Sequence, residues 1–183
     1  MRSVFAFAVT ALFALSLGAA HAQMAPSTPI PAPKKPAWGA VSFLVGSWSC
    51  WSKSSRRATP IKYTMTYAPD SSGYWLVGKG SSAGASWYPH ASTSTDMYTY
   101  DFDTKRWVDV YTDSLGNYDL NVSKGFSGGK IMWHSLAFAP SAEVVSATDS
   151  TFTKVSANKT TQSYSFMTGK GKKVSVTGAC TRS

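Results

Sequence analysis

The chain has 183 residues, of which 43% are hydrophobic, 14% aromatic and only 15% charged. So many rings exclude a disordered chain, and so few charges exclude a coiled coil. Eighteen Lys and Arg against nine Asp and Glu give a net charge of +9, and two cysteines are too few for a disulfide scaffold or a four-cysteine zinc site.

In chain order, the first segment reads as an export signal. Met1-Arg2 is a short basic start, Val4 to Leu17 is an apolar run, and Gly18-Ala19-Ala20-His21-Ala22 offers the small residues a signal peptidase accepts. Residues 1–22 are therefore expected to be a cleaved signal peptide and the protein to be periplasmic or secreted. The run is too short to span a bilayer, and no later segment is long and apolar enough to do so, so no transmembrane segment is expected in the mature chain. Residues 23–37 hold five prolines and Lys34-Lys35 and read as a proline-rich linker. The folded domain is expected over 38–183.

From Gly46 onward, short runs rich in Val, Tyr, Trp, Phe and Thr alternate with Gly, Asp, Asn and Ser clusters, and the two-residue strand period dominates. Ten strands are predicted, at 45–53, 61–68, 73–80, 95–102, 106–113, 118–126, 130–138, 148–156, 161–168 and 172–182. Asp101 to Lys105, Asp113 to Asn117, Ser127 to Lys130 and Gly169 to Gly171 carry hairpin-turn chemistry. Two connections are long, 81–94 and 139–147, and the first holds Trp87-Tyr88-Pro89-His90, placed to act as a lid or to fold back onto the body. Ten antiparallel strands leave two free edges unless they close, so an all-β, closed, up-and-down antiparallel barrel is expected.

Export makes a disulfide between Cys50 and Cys180 the expected state of the two thiols. If these residues sit directly opposite each other on antiparallel strands, Trp48 lies opposite Arg182, and all four side chains share one face. Val174, Val176 and Gly178 share it too, which makes it the inward face. Arg182 is then placed over the Trp48 indole in a cation–π contact.

Phe43-Leu44-Val45-Gly46-Ser47-Trp48 resembles the Gly-x-Trp signature of the first strand of calycins, and Cys180-Thr181-Arg182 resembles the terminal strand whose arginine covers that tryptophan. Tyr100-Asp101 with Asp103, Lys105 and Trp107, then Asp113 to Gly116 and Ser150 to Ser156, resemble an uncharacterised lipocalin-like family of exported bacterial proteins. The resemblance covers most of 43–182 and makes Gly46, Trp48 and Arg182 its structural signature. It implies a ten-stranded, calycin-like barrel close in shape to the nitrobindin-like haem proteins, and no particular activity.

No catalytic constellation is visible, so the protein is expected not to be an enzyme. There is no nucleophile elbow and no phosphate loop, and Asp101, Asp103 and Asp109 lack the glycine and bidentate glutamate of a calcium loop. No metal or cofactor is expected. The last two strands, where a nitrobindin-like protein would carry its haem-ligating histidine, contain none, and His134 could still ligate a group if that side chain points inward. Tyr63, Tyr67, Trp75, Tyr98, Tyr100, Trp107, Tyr111 and Trp133 fall on predicted strands. These rings either line a ligand cavity or fill the core, and one sequence does not decide between Tyr98, Tyr100 and Phe102 or Met97, Thr99 and Asp101 as the inward set. Tyr63, Trp75, Tyr98, Tyr100, Trp107, Tyr111, Trp133 and His134 are the candidate ligand-binding residues.

The expected function is capture of a small apolar or amphipathic molecule inside an exported barrel. Two alternatives stand beside it. The basic clusters Lys53, Arg56, Arg57 and Lys170, Lys172, Lys173 suit weak contact with anionic envelope material rather than with nucleic acid. The other alternative is a haem-binding, nitrobindin-like protein.

Overall fold

The computed structural model describes residues 29–139, 144–147 and 149–183. The signal-peptide expectation, residues 23–28 of the expected linker and part of the second long connection lie outside the described residues. Two compact units divide at Pro33/Lys34, and the second, Lys34–Ser183, carries the fold.

After two short 3-10 turns, Trp38–Ala40 and Ser42–Leu44, the described residues form twelve strands. Ten are long: β1 (Gly46–Ser54), β2 (Ile61–Pro69), β3 (Leu76–Ser82), β4 (Ser92–Asp101), β5 (Arg106–Asp113), β6 (Tyr118–Ser123), β8 (Lys130–Phe138), β10 (Ser150–Ser156), β11 (Lys159–Met167) and β12 (Lys173–Arg182). Two are two-residue pieces, β7 (Phe126–Ser127) and β9 (Ser146–Ala147). Each long strand pairs antiparallel with the next long strand in the chain, β12 pairs with β1, β8 pairs directly with β10, and the short β9 pairs with β11. The ten long strands thus close into an antiparallel up-and-down barrel with no free edge.

The ten predicted strands correspond to these ten. The third starts at Leu76 rather than 73, because Asp70 ties the preceding turn: its Oδ1 accepts from the Gly73 and Trp75 backbone N–H groups at 2.9 and 3.1 Å. Gly73 sits there at φ +73°, a conformation that side chains resist. The fourth strand starts early, at Ser92, which shortens the first long connection to 83–91. The sixth stops at Ser123 instead of reaching 126, where Gly125 turns the chain at φ +110° and lies against the Trp107 indole.

Cys50 and Cys180 face each other and are disulfide-bonded, and the same register sets Trp48 opposite Arg182. Buried Trp48, Cys50, Met65, Tyr67, Leu76, Tyr98, Trp107, Ile131, Trp133, Val174 and Val176 define the inward face, one residue in two along each strand.

One end of the barrel is sealed. The 3-10 turns lay Trp38 against Trp107, with ring centroids 5.8 Å apart, and Phe43 against Phe126 at 5.2 Å. Trp48 Nε1 donates to the Leu44 carbonyl at 2.7 Å. Arg182 stacks 4.6 Å over the Trp48 ring while its Nη1 and Nη2 donate to the Val45 and Phe43 carbonyls at 2.6 and 2.7 Å. The guanidinium therefore closes the entering strand, the leaving strand and the plug segment with one group. Gly46, at φ +120°, leaves the space into which the guanidinium fits.

Candidate functional site

The other half of the barrel is built differently. Register alone arranges two rows of inward side chains across β4, β5 and β6. Asp96, Tyr111 and Asp119 lie in one row, and Tyr98, Asp109 and Asn121 in the next. Three carboxyl groups therefore face the lumen from three consecutive strands.

Each carboxyl is held by hydrogen bonds. Tyr67 and Tyr98 both donate their phenol O–H to Asp96 Oδ2, at 2.8 and 3.0 Å. Tyr67 comes from β2 and reaches Asp96 by lying across Gly78 of β3, where any Cβ would collide with the ring. Asn121 Nδ2 donates to Asp109 Oδ2 at 3.1 Å, and Ser135 Oγ donates to Asp119 Oδ1 at 2.9 Å. Asp109 Oδ1 is buried and receives no N–H or hydroxyl donor, its carboxyl instead hydrogen-bonding with that of Asp96.

Burial, the neighbouring Asp96 charge and a hydrogen bond with Asp96 push the Asp109 carboxyl well above the usual carboxylate range. Burial raises Asp96 as well, against the opposing pull of the hydrogen bonds from Tyr67, Asp109 and Tyr98. The two carboxyls titrate as a coupled pair, with Asp109 holding its proton the more tightly. Tyr67 and Tyr98 are pushed up by burial and by Asp96, which fixes them as phenol donors.

Opposite this wall stand Tyr63 and Tyr164. Gln162 Nε2 donates to the Tyr63 hydroxyl at 2.9 Å. Tyr164 pairs with buried Val176 and shares the inward face with buried Thr160 and with Gln162. It nevertheless stays 38% exposed. Burial and the Asp119 charge push the Tyr164 phenol up, and burial and Tyr164 push Tyr63 up. Tyr164 therefore meets solvent on this side, while the far end is packed shut. Two shallow grooves of about 340 and 360 Å³ lie elsewhere, and neither is lined by the lumen rings.

The candidate residues divide into groups. Tyr63, Tyr98, Tyr111 and Trp133 face the lumen, with Trp133 packed 5.6 Å from Tyr98. Tyr111 also donates to Asp113 Oδ2 at 3.4 Å. Tyr100 and Trp107 pack edge to face at 5.5 Å in the sealed half, so they belong to the plug and not to a binding wall. Trp75 precedes β3 in the Asp70 turn, out of phase with inward Leu76.

His134 corrects an expectation. Its neighbour Trp133 takes the inward position, so the imidazole points outward, 64% exposed, with Nδ1 2.7 Å from Asp149 Oδ1. It offers nothing to the lumen, and the route to haem through this side chain is closed. Trp87 in the 83–91 connection is tied down at one side: Nε1 donates to the Thr59 carbonyl at 2.9 Å, and Arg57 stacks on its ring at 4.8 Å.

Asp96, Asp119, Asn121, Tyr164 and Gln162 are lumen residues that sequence reasoning missed. Strand parity was the available signal: once Tyr98 is inward Asp96 is too, and Trp107, Asp109 and Tyr111 form one inward series. Among the described residues no group of three or more His, Cys, Asp or Glu side chains has the geometry to hold a metal ion, and no helix is long and apolar enough to cross a membrane.

No known family profile and no curated protein matches the chain in sequence. Among solved structures it is similar to a de novo designed fluorescence-activating beta barrel, at 12% identity and a TM-score of 0.45, covering 79% of this chain and 97% of that one. It is also similar to an S-type phycobiliprotein lyase from Guillardia theta, at 10% identity and a TM-score of 0.45, covering 77% of this chain and 89% of that one. The fold is an all-β, closed antiparallel barrel of ten long strands.

Proposed function

We propose that this barrel captures a small apolar or amphipathic molecule in the open half of its lumen, without turning it over, in an exported compartment. The observation that carries the reading is the contrast between the two ends. One is filled by Trp38, Phe43, Trp48 and Trp107, whereas the other leaves inward-facing Tyr164 38% exposed on the side of Tyr63 and Gln162. Aromatic walls supply apolar contact area, and a few fixed polar groups set orientation, which is the usual make-up of a small-molecule site. The disulfide and the export-type N-terminus support the compartment. The lipocalin-like family of exported proteins is the kinship that fits best.

The test is a titration with N-phenylnaphthylamine, an uncharged dye that brightens in apolar surroundings. Saturable one-to-one binding is expected, weakened several-fold by Tyr164→Ala and unaffected by Trp51→Ala on the outer wall. Absence of saturable binding, or loss of it only in the Trp51 variant, overturns the reading.

A further inference from the structure

Strand pairing distributes charge unevenly around the barrel. All five strand carboxyls, Asp96, Asp101, Asp109, Asp113 and Asp119, stand on β4, β5 and β6. The seven neighbours that complete the circle, β8, β10, β11, β12, β1, β2 and β3, hold no acidic residue. At the middle of this acid-free arc β12 pairs with β1, and the pairing runs past the strand ends. Ser55 N–H donates to the Ser175 carbonyl at 2.8 Å, and Ser175 N–H donates to Ser55 Oγ at 3.2 Å. The β1–β2 loop and the β11–β12 turn are thereby held side by side at the open end, and two basic clusters far apart in sequence become one. Lys53 and Arg57 come from the β1 side and Lys170, Lys172 and Lys173 from the β12 side, and all five are exposed.

The backbone under these cations is fixed. Thr168 N–H donates to the Lys172 carbonyl at 2.9 Å and Gly171 N–H to the Thr168 carbonyl at 2.8 Å, so the β11–β12 turn is a tied hairpin that holds its lysines out in solvent. Arg57 lies 4.8 Å over the Trp87 ring, whose Nε1 donates to the Thr59 carbonyl at 2.9 Å. The patch also carries an apolar group. Val145 N–H donates to the Met167 carbonyl at 2.9 Å, which sets Val145 next to the basic turn, and Val145 is 53% exposed. An aliphatic side chain among lysines gains nothing from a soluble polyanion. At a bilayer it gains burial while headgroup phosphates meet the cations. The sealed end differs, because its lysines share the rim with Asp70, Asp101 and Asp103.

We propose that the open rim at the β1–β12 seam docks on a bilayer containing anionic phospholipid. Lys53, Arg57, Lys170, Lys172 and Lys173 meet the headgroup phosphates, and Val145 enters the boundary between headgroups and acyl chains. Docked so, the open end that carries exposed Tyr164 is turned toward the phase in which an apolar molecule dissolves. This last step alone rests on the capture reading.

The test is flotation of the exported protein with vesicles of phosphatidylcholine, alone or with phosphatidylglycerol added to about a third. Binding is expected only with the anionic lipid, and about tenfold or more weaker in about 0.5 M NaCl, where surface charges are screened. Each lysine at an anionic surface contributes about fivefold in affinity, so Lys170→Gln/Lys172→Gln/Lys173→Gln is expected to lose about a hundredfold. Lys124→Gln/Lys130→Gln/Lys159→Gln at the sealed end removes the same charge and is expected to lose less than about threefold. Val145→Ser changes no charge and is expected to weaken vesicle binding about fivefold while leaving retention on dextran sulfate unchanged. Equal binding to phosphatidylcholine alone, equal loss in the two lysine triples, or full vesicle binding by Val145→Ser overturns the proposal, the last by assigning the patch to a soluble polyanion. Titration with N-phenylnaphthylamine in the absence of vesicles separates this proposal from the capture reading. Dye binding without vesicle binding refutes the docking surface and leaves capture standing. Vesicle binding without dye binding supports the docking surface and refutes capture.

Discussion

Arg182→Ala removes the latch on the sealed end. The guanidinium makes two charge-assisted hydrogen bonds, at 2.6 and 2.7 Å, to the Val45 and Phe43 carbonyls and stacks 4.6 Å over Trp48. Hydrogen bonds of this kind contribute about 1.5–3 kcal/mol each, and a half-shielded cation–π contact about 0.5–1 kcal/mol. Water partly replaces the arginine at the rim, so the lower part of the range applies and the net loss is about 3–4 kcal/mol. In urea, at about 2 kcal/mol per molar, the unfolding midpoint falls by about 1.5–2 M with unchanged slope. Thermal unfolding falls by about 10 °C. Arg182→Lys keeps a charge over the indole but loses the two-pronged grip on the carbonyls, so it is expected to lose most of the same stability. Gly46→Ala, whose methyl would occupy the guanidinium's place, is expected to mimic the loss. A change under about 0.5 kcal/mol in Arg182→Ala, or a lysine variant equal to wild type, would refute the reasoning.

The Cys50→Ala/Cys180→Ala pair opens a loop of sequence separation 130 and is expected to lower stability by up to about 5 kcal/mol, read by urea unfolding with and without reductant. Stability also depends on pH with a definite sign. Asp109 and Asp96 hold protons more tightly folded than unfolded, so their contribution is full below pH 3.8 and is lost as pH rises through their raised values. Asp70 and Asp101, lowered chiefly by the Ser72 and Thr104 hydroxyls, act in the opposite sense and lose stability as pH falls below 3.8. The unfolding temperature is therefore expected to rise between pH 8 and pH 5. Asp109→Asn is expected to flatten that slope, with Asp119, Tyr67, Tyr98 and Tyr111 still facing the site, whereas a slope unchanged by the variant would assign it elsewhere. His134→Ala is expected to leave dye binding unchanged and stability within about 0.5 kcal/mol, because the ring is exposed and its Asp149 pairing lies on the surface. Loss of dye binding in that variant would contradict the outward placement.

Barrel closure and the β1–β12 register were legible because they rest on local signals: turn glycines, strand alternation, and two cysteines that fix a pairing. The lumen chemistry was not, because parity on a strand becomes inside or outside only once a neighbour is fixed. Asp96, flanked by Thr95 and Met97, looks like an ordinary outward polar residue until Tyr98 is known to be buried. His134 looked usable for the same reason and lost its place to Trp133. The β6–β8 ladder shifts by one residue between Leu120 and Asn121, with Leu136 the extra residue on β8, so no uninterrupted register from the Asp119–Phe138 pair would place Asn121 against Ser135. The plug was hidden for a different reason: Trp38 to Leu44 has neither strand nor helix periodicity, and its two turns are defined by the rings they bury.

The most direct measurement is a crystal structure of the protein grown with N-phenylnaphthylamine. The account predicts the dye inside the barrel with its rings against Tyr63 and Tyr164. A lumen holding only water, or a dye bound on the outer wall beside Trp51, would contradict it.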